Sequence, residues 1–151
     1  MLHDEEESVR CAALDAVLIA AVGHISKTVQ TLQALLSNAN AGVRCTGLQG
    51  LGRVVDVHDT HAMEGISKLL EDAEEDVREA AGESMVALSG RFGSEGRVVI
   101  LGLIAPQCRR HQRPDVRVAA LTAAVGLQGG HEIGVVELFL HTLEDPEPTV
   151  C

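Results

Sequence analysis

Residues 72–88 read DAEEDVREAAGESMVAL and contain the pattern that decides the fold. An acidic run at 72–76 precedes Val77 and Arg78, and small or apolar residues follow at three, four, eight and eleven positions after the valine. This spacing places one apolar stripe along a helix, and the acidic residues ahead of it complement the positive end of the helix dipole. The segment is therefore predicted to be an amphipathic helix.

The Val-Arg pair of this stretch occurs four times along the chain. The four copies are Val9-Arg10, Val43-Arg44, Val77-Arg78 and Val116-Arg117, with spacings of 34, 34 and 39 residues. A second apolar stripe follows each copy, so every unit is predicted to be a pair of helices.

The repeat predicts helix bounds throughout the chain. First helices are expected near 6–22, 41–55, 75–90 and 115–128. Second helices are expected near 26–37, 60–71, 95–106 and 133–144. Gly23, Gly90 with Gly93, and Gly129-Gly130 lie between first and second helices, where a left-handed residue ends a helix. No segment alternates with period two for the length of a strand, and the predicted fold class is all-α.

The composition of the chain disfavours some classes of binding partner and indicates its compartment. The formal net charge is −10, which disfavours nucleic acid and anionic membrane surfaces because both attract basic proteins. Phe92 and Phe139 are the only aromatic residues, so a core of small and aliphatic side chains is expected. No run of 18 apolar residues occurs, the start is unlike a signal peptide, and the four cysteines lack a disulfide framework. These features predict a cytoplasmic chain.

The junctions between the units carry a resemblance to a known family. Residues 145–150 read DPEPTV, and Asp4, Asn38, Asp72 and Asp145 all precede a repeat valine by five residues. This pattern resembles the junction motif of HEAT and PBS-lyase-type HEAT-like repeats of the armadillo type. The resemblance implies a right-handed α-α superhelix of about four helix pairs. Its units would lie near 4–37, 38–71, 72–110 and 111–144, with a further unit beginning at 145–151, and we expect a segment of a longer solenoid.

The resemblance also implies a ladder of polar contacts between neighbouring units. The matching positions in this sequence are Asp4, Arg10, Asn38, Arg44, Asp72, Arg78 and Arg117. Unit four departs from the pattern, because His111 stands where the other units have Asp or Asn.

The sequence lacks the residues that the candidate catalytic and metal sites would require. Deoxyhypusine hydroxylases, which are similar in repeat pattern, hold two irons through His-Glu pairs. The matching positions here are Cys11-Ala12, Cys45-Thr46, Glu79-Ala80 and Val118-Ala119. None of these positions has a His-Glu pair, so we expect neither an enzymatic activity nor a bound cofactor. A column of His24, His58 and His131 fits surface turns better than a metal site. Gly47, Gly50 and Gly52 are interpreted as sites of close helix packing.

The junction before unit four is five residues longer than the others. Residues 105–115 are expected to form a loop with Arg109, Arg110 and Arg113, and Arg97 adds to this positive patch on an acidic chain. One interpretation is a docking point for an acidic segment of a partner protein or of another domain. Two alternatives stay open: a solvated loop, or a loop held by acidic residues of neighbouring units.

These patterns favour a non-catalytic scaffold that binds other proteins. The alternative is an enzyme-associated module resembling the bilin-lyase subunits, which use this repeat to handle a tetrapyrrole chromophore. The likeness to those subunits lies in the repeat pattern alone, and one scaffold serves many functions.

Overall fold

A computed structural model describes residues 1–2, 6–21, 23–110 and 113–127, with the backbone alone at residues 109 and 110. Within these ranges the chain forms six α-helices, one 3₁₀ turn and no strand. They are α1 (Glu7–Ala20), α2 (Ile25–Leu35), α3 (Ala41–Val54), α4 (Thr60–Lys68) with its 3₁₀ turn (Leu69–Glu71), α5 (Glu75–Arg110) and α6 (Pro114–Gly126). The all-α prediction is confirmed. The predicted second helix at 133–144 lies outside the described residues.

The helices pack in two series that share one core. α3 contacts both α1 and α5, and α5 contacts α6, while α2 and α4 contact each other and line the same core. Aliphatic side chains fill this core, and its fully buried members include Leu32, Leu48, Leu51, Ile66, Leu70, Leu88 and Ile104. None of the helices in the described ranges has the length and apolarity needed to cross a membrane.

Local side-chain chemistry sets the starts of two helices. The Asn40 side chain accepts a hydrogen bond from the Val43 amide at 3.3 Å and caps α3. Asp59 accepts one from the Ala62 amide at 3.0 Å and caps α4. Each cap provides a partner for an amide that would otherwise lack one in the first turn.

α5 contains two helical segments, 75–92 and 94–110, which are separated at Gly93. This residue has φ of 60° and ψ of −134°, outside the helical region. A Cβ on Gly96 would lie 3.5 Å from the Leu88 carbonyl oxygen, although eight residues of straight helix rise about 12 Å. The chain therefore turns back at Gly93. The prediction of a break at Gly90 and Gly93 holds for Gly93 alone, because Gly90 is helical.

The predicted loop at 105–115 was wrong at both ends, because α5 continues through Pro106 to Arg110 and α6 begins at Pro114. A proline inside a helix removes one backbone hydrogen bond and crowds the preceding turn. Here Pro106 is exposed, while Ile104 and Cys108 on either side of it are buried in the core. Burial of these two side chains offsets the cost of the proline, so the extra residues lengthen the helix.

Three of the four glycines of α3, Gly47, Gly50 and Gly52, allow close packing, as expected from the sequence. A Cβ on Gly47 would lie 3.0 Å from the Leu32 carbonyl oxygen, and one on Gly50 would lie 2.7 Å from Leu32 Cδ2. A Cβ on Gly52 would lie 3.2 Å from the Cα atom of Ser84 in α5. α3 therefore packs against α2 and α5 so closely that a side chain at these positions would crowd its neighbours.

Candidate functional site

Arg44 connects two neighbouring units of the repeat. Its Nη1 donates to the carbonyl oxygens of Asn38 at 2.9 Å and Ala39 at 3.1 Å, just ahead of its own helix. Its Nη2 donates to Asp72 Oδ1 of the next unit at 2.7 Å. The side chains of Arg44 and Asp72 are only 12% and 9% exposed, so the ion pair is largely shielded from water.

Arg78 repeats this geometry 34 residues later. Its Nη1 donates to the carbonyl oxygens of Asp72 and Ala73, both at 2.9 Å. Its Nη2 lies 3.5 Å from Asp115 Oδ2 of the following unit. The carboxylate that pairs with Arg78 is thus that of Asp115, directly before Val116. In this unit His111 stands where the other units have Asp or Asn. Sequence reasoning missed Asp115, and its position beside the repeat valine gave no signal because the other units have no common residue there.

The arginines change the ionisation of both carboxylates. Burial by itself would raise the pKa of Asp72, but the Arg44 hydrogen bond, the Glu74 amide and the charge of Arg78 outweigh it and lower the pKa. For Asp115, the hydrogen bond from Arg113 is the main cause of a lowered pKa, with help from the charge of Arg78. Both groups are therefore charged at neutral pH.

The remaining members of the implied ladder are placed as follows. Arg10 and Arg117 are buried, and the Arg10 guanidinium lies against Gly42, where a Cβ would be 2.5 Å from Nη2. The Asn38 side chain accepts from the Asn40 amide at 2.9 Å. Asp4 and His111 lie outside the described residues. The structure thus joins Arg44 with Asp72 and Arg78 with the Asp72 backbone.

Of the four arginines predicted to bind a partner, Arg113 is bonded within the chain. It donates to Asp115 Oδ2 at 2.6 Å and to the carbonyl oxygens of Glu71 and Asp72 at 3.0 and 3.3 Å. It therefore holds the start of α6 against the preceding junction through backbone carbonyl groups, while its carboxylate partner, Asp115, belongs to its own unit. Arg97 is half-buried in the second segment of α5, and Arg109 and Arg110 end that helix.

Arg91, near the end of the first segment of α5, caps α3. Its Nη1 donates to the carbonyl oxygens of Gly52 at 3.3 Å and Val55 at 3.1 Å, at the carboxyl end of α3. Its guanidinium also lies 5.0 Å from the ring centroid of Phe92. A cation at this end of a helix complements the dipole and satisfies carbonyl groups that lack helical partners.

Histidine and cysteine side chains do not converge within the described part of the chain. His24 and His58 are exposed, and no group of three potential metal ligands occurs among the described residues. His131 lies outside them. Cys11, Cys45 and Cys108 are free thiols. Burial, together with the charge of Asp76, raises the pKa of Cys45, so its thiol stays protonated at neutral pH.

A groove of about 920 Å³ runs between the first segment of α5 and α6. Its floor contains Gly82, Ala119 and Ala123, and a Cβ on Gly82 would be 3.3 Å from the Cβ of Ala123. Because these residues are so small, the two helices approach closely and no large side chain fills the groove between them.

The two walls of the groove differ in chemistry. Glu75, Glu79 and Glu83 form one wall, with one exposed carboxylate on each turn of α5. Val118 and Thr122 of α6 form the other wall. Sequence reasoning did not identify this groove. The four-residue spacing of the glutamates was visible in the sequence, but the pairing of α5 with α6 along these faces was needed to interpret it.

Comparisons of the chain with protein-family models, with curated proteins and with solved structures found no match.

Proposed function

We propose that this chain is a non-catalytic scaffold for protein–protein interaction, built from HEAT-like helix pairs stacked in a right-handed superhelix. The repeated junction supports this architecture. Arg44 and Arg78 each donate to the carbonyl groups five and six residues before them and reach a carboxylate of the next unit. The same backbone contacts at a 34-residue interval favour similar stacking of successive units.

The observation that carries the function is the groove between α5 and α6. It is open, lies between two helices, and combines a floor of small residues with a wall of carboxylates. A surface of this shape and size suits a segment of another polypeptide, either a separate protein or another domain of a longer chain. The free thiols of Cys11, Cys45 and Cys108 are consistent with a reducing compartment such as the cytoplasm.

Direct binding to a polypeptide tests the proposal. Candidate partners are cross-linked to the chain in extracts of cells that express it, identified, purified and titrated against the purified chain by calorimetry. We expect at least one partner to bind directly and to cross-link to residues on the helix surfaces. The heat-unfolded chain is the control.

Two results would contradict the scaffold function. One is the absence of any polypeptide that binds the folded chain in preference to the unfolded one. The other is a shifted visible absorption band on mixing the chain with free bilin, which would favour the chromophore-handling alternative. Right-handed stacking is tested separately by an experimental structure.

Docking of an acidic segment at Arg109 and Arg110 stays a prediction. Arg113 is already bonded to Asp115, so this docking would depend on the two arginines that end α5. Replacing both by Glu would slow association with an acidic partner in a salt-sensitive manner. An unchanged rate would exclude them from recognition.

A further inference from the structure

Building on the proposed scaffold function, we propose that the groove between α5 and α6 binds an amphipathic helix of a partner protein, with Lys or Arg along one flank of that helix. Shape and charge both lead to this occupant. The groove is bounded by two helices, and a third helix laid along it would contact both.

The floor of the groove sets the size of the side chains that face it. Gly82 and Ala123 are buried, and Ala119 between the walls is half-buried. With no large side chain on the floor, the backbone of an incoming helix can approach closely if it presents Ala, Ser or Leu to the groove. The side chains of Val86 and Val118 extend this apolar contact surface at the sides of the groove.

The acidic wall determines the charge of the partner. Glu75, Glu79 and Glu83 are spaced by four residues, so their carboxylates recur about every 6 Å along α5. Within the described part of the chain, none of the three forms an ion pair with Lys or Arg. A partner helix with Lys or Arg at four-residue spacing would place one cation opposite each carboxylate.

Charge also argues against the chain itself as the occupant. Residues 128–151 contain five acidic residues and neither Lys nor Arg, so they would repel the acidic wall. A second copy is disfavoured too, because the chain carries 22 acidic residues against 12 basic ones. Moreover, Arg44, Arg78 and Arg113 already bond within the chain. We therefore assign the complementary charge to a partner protein rather than to residues 128–151 or to a second copy of the chain.

Two designed peptides test the proposal on the full chain. Each is a fluorescent helix of about 18 residues with Ala and Leu on one face, and the flank carries Lys in one peptide and Glu in the other. We expect the Lys peptide to bind at least about tenfold more tightly, and salt to weaken its binding. A carbodiimide reagent, which couples carboxylates to amines in contact, should join its lysines to Glu79 or Glu83.

Matched variants locate the binding site. Glu79→Lys combined with Glu83→Lys should weaken the Lys peptide about tenfold, whereas Glu64→Lys on the exposed face of α4 should not. Thr122→Trp should obstruct the groove. Thr31→Trp is its control, because Thr31 is also exposed and its hydroxyl likewise donates to the carbonyl oxygen four residues earlier.

The possible outcomes separate this proposal from the scaffold function. Equal binding of both peptides, binding of neither, or no effect of Thr122→Trp would overturn the groove assignment. A chain that sediments as a dimer, and as a monomer after Thr122→Trp, would overturn it in favour of a second copy. If the partner captured from cells binds wild type and Thr122→Trp equally, the groove assignment fails and the scaffold function stands. If no polypeptide is captured, the scaffold function itself fails.

Discussion

At the scale of single residues, the shape of the guanidinium explains why arginine occupies the junctions. Arg44 directs Nη1 to two carbonyl oxygens and Nη2 to the Asp72 carboxylate, so one planar group serves three acceptors in two units. An ammonium group on a flexible stem lacks this fixed fork of donors. Lysine at this position would keep the charge and lose the simultaneous contacts.

Removing Arg44 should destabilise the fold more than removing an equivalent exposed arginine. Arg44→Ala removes the donor that Asp72 and two carbonyl groups share in a largely shielded site, at a cost of about 1–3 kcal/mol. Arg53 forms an ion pair of the same length with Asp15, 2.7 Å, but these side chains are 58% and 62% exposed. Arg53→Ala should therefore change stability by about 0.5 kcal/mol or less.

Urea denaturation of the two variants and of Lys27→Ala provides the measurement. Lys27 is exposed on α2 and controls for the loss of a positive charge as such. Arg78→Ala should resemble Arg44→Ala because its backbone contacts are the same. Equal losses of stability in all four variants would contradict the structural role of the junction arginines.

Asp72 should make stability depend on pH in the acid range. Its folded pKa is below its ordinary value of 3.8, so the unfolded chain takes up a proton more readily than the folded chain. Its contribution is complete above pH 3.8 and is lost as the pH falls through the folded pKa. The free energy of unfolding of wild type should therefore fall more steeply below pH 4 than that of Asp72→Asn. Asp15→Asn is the control, and an identical effect of both substitutions would refute the prediction.

At the scale of helices, glycine substitutions should act in opposite directions depending on packing. Gly50→Ala places a Cβ 2.7 Å from Leu32 Cδ2 and 2.9 Å from Leu14 Cδ1, and both leucines are buried. We expect a loss of about 1–3 kcal/mol through overpacking. Gly102→Ala lies in α5 with nothing within 4 Å, and should gain about 0.5–1 kcal/mol from helix propensity. Thermal denaturation distinguishes these signs, and two shifts of the same sign would count against the packing of α3.

Helix positions were largely predictable because each helix buries one periodic face. The expected helix at 41–55 is found as Ala41–Val54, and the expected helix at 60–71 as α4 with its 3₁₀ turn. The end of α5 was not predictable in the same way. Pro106 and the longer spacing before Val116 both indicated a loop. The segment is helical instead, because the helix buries Ile104 and Cys108 in the core. Local sequence also did not distinguish Gly90 from Gly93 as the position of the break.

The candidate site was less predictable than the fold, because it depends on contacts between distant residues. The resemblance to HEAT-like junctions implied a ladder that includes Arg44 and Asp72, and the structure joins these two residues. The approach of Asp115 to Arg78 was not implied, because the longer junction shifts the register in unit four. Predicting the groove would have required knowing which faces of α5 and α6 are in contact. The close packing of Gly82 against Ala123 determines those faces.

At the scale of the whole molecule, the helices should differ in local stability. α1 buries only Arg10 and Leu14, whereas α3 buries seven residues and contacts both of its neighbours in the series. Amide hydrogen exchange should therefore be fastest in α1 among the described helices and slowest in α3, because α1 can open while the rest of the core persists. Uniform protection across α1 and α3 would show instead that the chain opens only as one unit.

The turn at Gly93 has a consequence for how separate copies of the chain could combine. If its torsion angles became helical, α5 would be a continuous rod about 54 Å long. Its second segment, whose Ile100 and Ile104 share a core cluster with Met63 and Ile66, would then lie far from its own α4. It would find the same surface only on another copy, which is the geometry of domain exchange. Any residue with a Cβ at position 93 resists a positive φ and favours the rod, so glycine at this position keeps the fold within one molecule.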